Sequence, residues 1–347
     1  MKKLFASTLL LLALLLAMQP EKTTTIFMIG DSTMANKDIS HDRKERGWGM
    51  ALQCCFDDHI VVDNHAVNGR STLSFINEGR WQAVLDKMKP GDMVIIQFGH
   101  NDEKPKADRH TDPGSTFDYN LAKFVRETRE HGGVPVLMNC VVRRKWVDAS
   151  SAEAGAALGK GIDDESLRNT TSQPQDEGKQ ADSLVFVDTH GLYRVAPRDV
   201  AQRMHCFFVD ANKITEDLEK SLGVEGSKKL HMYFEPGEEP SVPKGRQDNT
   251  HYNVHGAQVV ASLLADALIE EVPLLGKYRV RYDIAVDKRG RGDHLSLQQA
   301  LAQVPEGRKC TIQLLGGEWE KPALSKKQQK EIEFVMRFGA KWKEGSK

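Results

Sequence analysis

Residues 93–98 read Met-Val-Ile-Ile-Gln-Phe and stop at Gly99. A run this apolar has none of the in–out alternation of a half-exposed strand. It predicts a strand buried on both faces, and such strands belong to parallel sheets covered by helices on either side. Further strand-like runs stand at 24–29, 60–64, 134–142 and 184–188 (LVFVD). Segments with helical spacing lie at 47–56, 81–88, 117–131, 190–204, 214–222 and 256–271. Strands alternating with helices in this way predict an α/β fold built on a parallel sheet. Residues 148–183, rich in Ala, Gly, Ser, Asp and Gln, break the rhythm and read as a surface insertion.

Residues 1–20 are set apart from that pattern. Lys2 and Lys3 precede an apolar run over 4–18, shorter than the roughly 20 residues a spanning helix needs. This predicts a cleaved secretory signal, a periplasmic or secreted protein, and no membrane span after cleavage. The five cysteines are odd in number and include no CxxC, so they read as small buried hydrophobes rather than a disulfide framework or zinc site. Forty-eight Lys and Arg against 49 Asp and Glu give a net charge of −1, which offers no reason to expect a nucleic-acid partner. The distribution is uneven: residues 21–275 hold 30 basic and 40 acidic side chains, whereas residues 276–347 hold 16 and 9. An acidic body is followed by a basic extension.

In an open parallel sheet, chemistry collects at the carboxyl ends of the strands. Three strand ends carry reactive residue types: Gly30-Asp31-Ser32-Thr33, Asn68-Gly69-Arg70-Ser71 after the second strand, and Gly99-His100-Asn101-Asp102. A fourth block, Asp248-Asn249-Thr250-His251, stands just before the last long helix. Each alone has a structural reading, as an N-cap, a turn or a helix start. Together, in this order, they resemble the four signature blocks of the SGNH (GDSL-type) hydrolases. The longer strings IFMIGDSTMA, NHAVNGRSTLSFINEGRW, QFGHNDE and DNTHYNVHGA resemble the rhamnogalacturonan acetylesterase branch over residues 24–272. The resemblance implies a flavodoxin-like three-layer sandwich and hydrolysis of acetyl esters on pectin, with an acetylated pectic polysaccharide as the partner and no cofactor. Block by block, it puts the nucleophile on Ser32, the acid and base on Asp248 and His251, and the oxyanion hole on Ser32, Gly69 and Asn101.

The residue chemistry suits those roles. A serine hydroxyl needs a base within hydrogen-bond reach, and an imidazole held by a carboxylate supplies one. Donors from Ser32 N–H at a helix start, Gly69 N–H and the Asn101 amide would face the developing oxyanion. A rival reading takes Asp248, His251 and His255 as metal ligands, but no second carboxylate or general-base Glu accompanies them, and no metal is expected. His65, His190 and His231 read as structural, and His100 as a residue shaping its loop. Arg70, Arg143, Arg144, Lys104 and Lys106 flank the blocks and are candidates for binding an acidic polymer. A non-catalytic pectin-binding protein and another esterase activity, on xylan or lipid esters, are the alternative functions.

Residues 282–305 (YDIAVDKRGRGDHLSLQQALAQVP) resemble the opening of pectin methylesterases, whose later coils carry the catalytic residues; only 42 residues follow Pro305. Strands are expected at 311–315 and 332–338. This truncated extension, 276–347, either packs on the esterase domain, 21–275, as a cap or touches pectin.

Overall fold

The computed structural model describes residues 23–150 and 183–345. In chain order the strands of the body are β1 (Thr24–Gly30), β2 (Glu45–Arg46), β3 (Ile60–Asn64), β4 (Met93–Gln97) and β5 (Val134–Met138). They continue with β6 (Trp146–Asp148), β7 (Leu184–Phe186), β8 (Phe207–Val209), β9 (His231–Phe234) and β10 (Arg246–Asn253). Five of them form the central sheet in the order β3-β1-β4-β5-β8, and every pairing in it is parallel. That is the flavodoxin-like order, with the reversal between β1 and its neighbours opening a crevice at the strand ends.

Both faces are covered, as the apolar runs require. Along β1, Ile26 and Met28 enter one core with Trp48, Val260 and Leu264. Phe27 and Ile29 enter the other with Trp81, Phe124 and Val200. The helix Thr116–Glu130 shows why these segments are helical: Phe117, Leu121, Phe124, Val125 and Thr128 bury one stripe against the sheet. The helix Val254–Glu271 begins at Asn253, whose side chain accepts from Gly256 N–H at 2.9 Å.

Two expectations are corrected. Residues 184–188 do not add to the central sheet; Leu184–Phe186 pairs antiparallel with Trp146–Asp148 as a separate ribbon. The fifth sheet strand is Phe207–Val209, three residues with a half-exposed start, too short for any periodicity to show. The ribbon ties the ends of the expected insertion together, with Ala149 N–H donating to Ser183 O at 2.8 Å. The insertion itself, apart from those ends, and the expected signal sequence lie outside the described residues. Among the described residues no helix is long and apolar enough to cross a membrane. All five cysteines are free, and all but Cys206 are buried.

The extension contains β11 (Ile284–Val286), β12 (Cys310–Leu315), β13 (Glu318–Trp319), β14 (Ile332–Arg337) and β15 (Lys341–Trp342). β11, β12 and β14 form one parallel sheet, and β13 and β15 a second. The stack is docked on the body. Ala285 and Leu315 bury Cys54, Gln313 Nε2 donates to Cys54 O at 3.0 Å, and Gln258 Nε2 donates to Arg291 O at 2.6 Å.

Candidate active site

β1 ends at Gly30, and the chain turns at once. Asp31 Oδ1 accepts from Thr33 N–H at 2.9 Å and Thr33 Oγ1 at 2.8 Å, while Ala35 N–H returns to Asp31 O at 3.0 Å. Ser32 therefore sits on a tight turn rather than at the start of a helix, as expected from sequence. Its N–H points from a turn, without the field of a helix terminus behind it. Burial, opposed by the Thr33 hydrogen bonds and the charges of Arg143 and His190, raises the pKa of Asp31.

The fourth block lies on a strand, not on a loop running into a helix. β10 pairs with β9 as Asp248↔Met232 and next as Tyr252↔His231, so residues 249–251 bulge from the ladder. The buried Asp248 carboxylate holds that bulge from inside: its Oδ1 accepts from Thr250 N–H at 2.9 Å and His251 N–H at 3.0 Å. Its Oδ2 lies 2.9 Å from His251 Nδ1, and His251 Nε2 lies 2.9 Å from Ser32 Oγ. The carboxylate partner assigns the proton to Nδ1, which leaves Nε2 free to accept from the serine hydroxyl. Burial alone would raise the Asp248 pKa, but the hydrogen bond and charge of His251 and the charge of Arg246 hold it well below the usual carboxylate range. Asp248 is fully buried and the His251 side chain 19% exposed.

The remaining two blocks meet each other. Asp102 Oδ1 accepts from Thr72 N–H at 3.0 Å, Thr72 Oγ1 at 2.6 Å and Thr111 Oγ1 at 2.7 Å. That carboxylate joins the loop after β4 to the helix Thr72–Asn77. Burial, only partly offset by these hydrogen bonds, pushes its pKa up to about 7. The join brings Asn101 Nδ2 within 3.2 Å of Arg70 O, one residue from Gly69. Gly69 has φ +75°, and a Cβ there would meet only the Arg109 guanidinium, at 3.8 Å. The glycine serves the left-handed turn, not a crowded approach.

The flanking cations separate. Arg143 and Arg144 are 2% and 1% exposed, so neither reaches a groove. Arg143 ion-pairs with Glu103 at 2.5 Å and donates to Thr189 Oγ1 at 3.0 Å, fixing the loop that carries Asn101. Arg144 N–H donates to Asn249 O at 2.8 Å and its Nη1 to Asn249 Oδ1 at 3.1 Å, bracing the bulge from behind. Adjacent arginines beside a strand end look like surface cations in sequence; their burial comes from partners 40 to 105 residues away. Arg70 stays half-exposed, with Nε 3.1 Å from Glu78 Oε2. Lys104 is half-buried and Lys106 exposed.

His190 meets Glu103 at 3.1 Å and His231 meets Glu219 at 2.6 Å, both buried, and His65 lies 3.1 Å from Asp63. His100 packs edge-on against His190 at 4.4 Å, and burial, with the neighbouring charges of His190 and Arg143, pushes its pKa far down. His255 lines a cavity of about 440 Å³ shared with Asp293 and His294 of the extension, while Asp248 is already engaged by His251 and Arg246.

Two residues beside the site carried no expectation. Arg246 Nη2 lies 2.5 Å from Asp248 Oδ2, and Arg246 Nη1 lies 2.7 Å from Glu45 Oε2. Arg246 had a signal, standing two residues before Asp248 on the same strand face. Glu45 had none. Although burial opposes it, the charges of Lys37, His251 and Arg246 hold the Glu45 pKa at about 2. Both residues line a groove of about 350 Å³ with Lys37, Arg43, Lys44 and Asn68.

A hydroxyl, an imidazole and a carboxylate hydrogen-bonded in sequence are suited to acyl transfer. The family model of the GDSL-like lipase/acylhydrolases matches residues 28–259, spanning all four blocks. The chain belongs to this family. Rhamnogalacturonan acetylesterase RhgT of Bacillus subtilis (strain 168) is 34% identical over 254 residues, 73% of this chain and 93% of that protein. The rhamnogalacturonan acetylesterase of Emericella nidulans is 27% identical over 245 residues, 71% of this chain and 84% of its own. These matches place this carboxylic ester hydrolase in the SGNH rhamnogalacturonan acetylesterase branch. The crystal structure of Bacillus subtilis YxiM superposes with a TM-score of 0.51 at 24% identity, over 74% of this chain and 58% of YxiM, and shares the fold. The family match ends before the extension begins.

Proposed function

We propose that this chain is an exported serine esterase that removes acetyl groups from the rhamnogalacturonan of pectin. The observation that carries the reading is the unbroken relay from Ser32 Oγ to His251 Nε2 and from His251 Nδ1 to Asp248 Oδ2, each step 2.9 Å. Ser32 Oγ attacks the acetyl carbonyl carbon as its proton passes to His251 Nε2. The carbonyl π electrons move onto oxygen, where Ser32 N–H, Gly69 N–H and Asn101 Nδ2–H would face the oxyanion. Collapse expels the sugar alkoxide, which takes the proton from His251, and leaves acetyl-Ser32. Water then attacks with His251 again as base, releasing acetate and restoring the hydroxyl. Asp248 stays ionised throughout and stabilises the transient imidazolium.

The substrate assignment draws on the names of the relatives, and export on the leader-like residues 1–20. Acetate release from acetylated rhamnogalacturonan, homogalacturonan and xylan tests the assignment. Turnover of rhamnogalacturonan well above that of xylan is expected; equal rates would remove the pectin assignment and leave a general acetylesterase. Recovery of the mature chain in the periplasm or medium, shortened at its N-terminus, tests export.

A further inference from the structure

Asp248 Oδ2 is shared. It accepts from His251 Nδ1 at 2.9 Å and from Arg246 Nη2 at 2.5 Å. The other arm of Arg246 meets Glu45 Oε2 at 2.7 Å, and Glu45 Oε1 meets Lys37 Nζ at 2.8 Å. Charges thus alternate from Lys37 through Glu45, Arg246 and Asp248 to His251. The imidazole is hydrogen-bonded to Asp248 of β10 and Ser32 of the turn after β1, Arg246 of β10 shares Asp248 Oδ2 with it, and Glu45 of β2 and His100 of the loop after β4 lie near enough to interact with its charge. An arginine that takes half of Oδ2 weakens the carboxylate's hold on an imidazolium, and Glu45, by engaging Arg246, moderates that effect.

Glu45 acts from β2, a strand of only two residues paired with β10 through Arg46↔Tyr252 and Asn253↔Glu45. Its second anchor comes from the extension. The buried Arg46 guanidinium donates through Nε to Gly290 O at 3.0 Å. Gly290 has φ +77°, and a Cβ on it would fall 2.6 Å from Ile39 Cγ2 and 3.3 Å from Arg46 Nε. The turn of the extension is seated directly on the segment that presents Glu45.

We infer that Glu45 and Arg246 are positioning residues for the Asp248–His251 pair, and that the C-terminal extension holds Glu45 in place through the Gly290–Arg46 bond. The inference rests on the Ser32–His251–Asp248 reading above. It gives the extension a part in the esterase reaction without a catalytic group of its own.

The test is the pH profile of kcat/KM on 4-nitrophenyl acetate with the full-length protein, alongside thermal melting. The acid limb requires an unprotonated His251. Arg246→Met removes a positive charge that opposes the imidazolium, so the limb should move up by about 0.5–1 pH unit. Arg246→Lys, keeping the charge, should leave it near the wild-type position. Glu45→Gln removes a favourable negative charge and should move the limb the other way, with kcat reduced more than KM is changed. Gly290→Ala should follow Glu45→Gln in sign, because it displaces Arg46 and with it β2. Shifts of the same sign for Arg246→Met and Glu45→Gln, or none in folded variants, would overturn the inference. A Gly290→Ala protein that melts lower with an unchanged profile would remove the extension from it. If Ser32→Ala proved active, the underlying mechanism would fail instead, whichever way the profiles moved.

Discussion

The central sheet and the extension are both parallel, yet they are covered differently. In the body, β1 and β4 lie between two cores that the same chain folds over them, and their residues on both faces are buried. In the extension, alternate residues Ile284, Val286, Ile312 and Leu314 face the extension's own core. The other face, Ala285 and Leu315 with the Gln313 amide, is buried against Cys54 of the body, with Tyr282 and Phe338 of the extension packed at its side. A parallel strand that is apolar on both faces needs cover on both. The extension is docked because its own Tyr282 and Phe338 cover that second face only in part and Cys54 of the body completes the cover. All four reactive blocks lie on the body, three at or next to ends of central-sheet strands and the fourth on the bulge of β10, and the extension reaches the site indirectly, through β2.

The largest test of that contrast is Ser32→Ala. If all the chemistry belongs to the body, kcat on any acetyl ester should fall by about 10⁴-fold or more with the melting temperature nearly unchanged. Residual ester cleavage, such as methanol release from methylated pectin, would assign chemistry to the extension. Next in size is Asn101→Ala, which removes one oxyanion donor and should lower kcat about 10²–10³-fold with little change in KM; an equal loss in KM alone would make Asn101 a binding residue.

Ile312→Ala sharpens the other side of the contrast. Ile312 is fully buried in the extension, so the truncation should cost about 2–5 kcal/mol in urea unfolding. One shifted transition is expected, because hydrogen bonds and packing cross the junction; two separated transitions would make the extension an independent unit. The smallest effect concerns Asp102. Its folded pKa of about 7 lies above the ordinary carboxylate value, so the folded state binds the extra proton between about pH 4 and 7 and stability falls as pH rises through that window. Asp102→Asn keeps an acceptor for Thr72 and Thr111, and its melting temperature should vary less across the window. An unchanged slope would mean that Asp102 is not the group responsible.

Strand runs and blocks were legible because each is a local pattern. MVIIQF must be buried wherever it goes, and a Gly-Asp-Ser after such a strand must lie at a sheet end. The misses were all non-local. Phe207–Val209 joins the sheet and Leu184–Phe186 does not, although the latter is the more strand-like run, because pairing depends on which edge the helices leave open. Arg143 and Arg144 were read as groove cations, and only their distant partners, Glu103 and Asn249, explain their burial. The polar string RQDNTHYN shows no strand alternation, since its buried residues include Asp248 and Asn249, satisfied by hydrogen bonds, alongside the single core aromatic Tyr252.

By itself, then, the amino-acid sequence determined that the body is a parallel α/β sandwich and singled out the blocks holding Ser32, Gly69, Asn101, Asp248 and His251 as its candidate reactive residues. Periodicity and residue type are properties of single segments, and they survive without knowledge of neighbours. The tertiary structure alone decided that Asp248 sits on a bulged strand, that Glu45 and Arg246 share its charge, and that the extension is seated against Arg46 and Cys54. Those facts depend on which side chains, tens to hundreds of residues apart, are brought within hydrogen-bond range, and on the burial that makes each such contact strong.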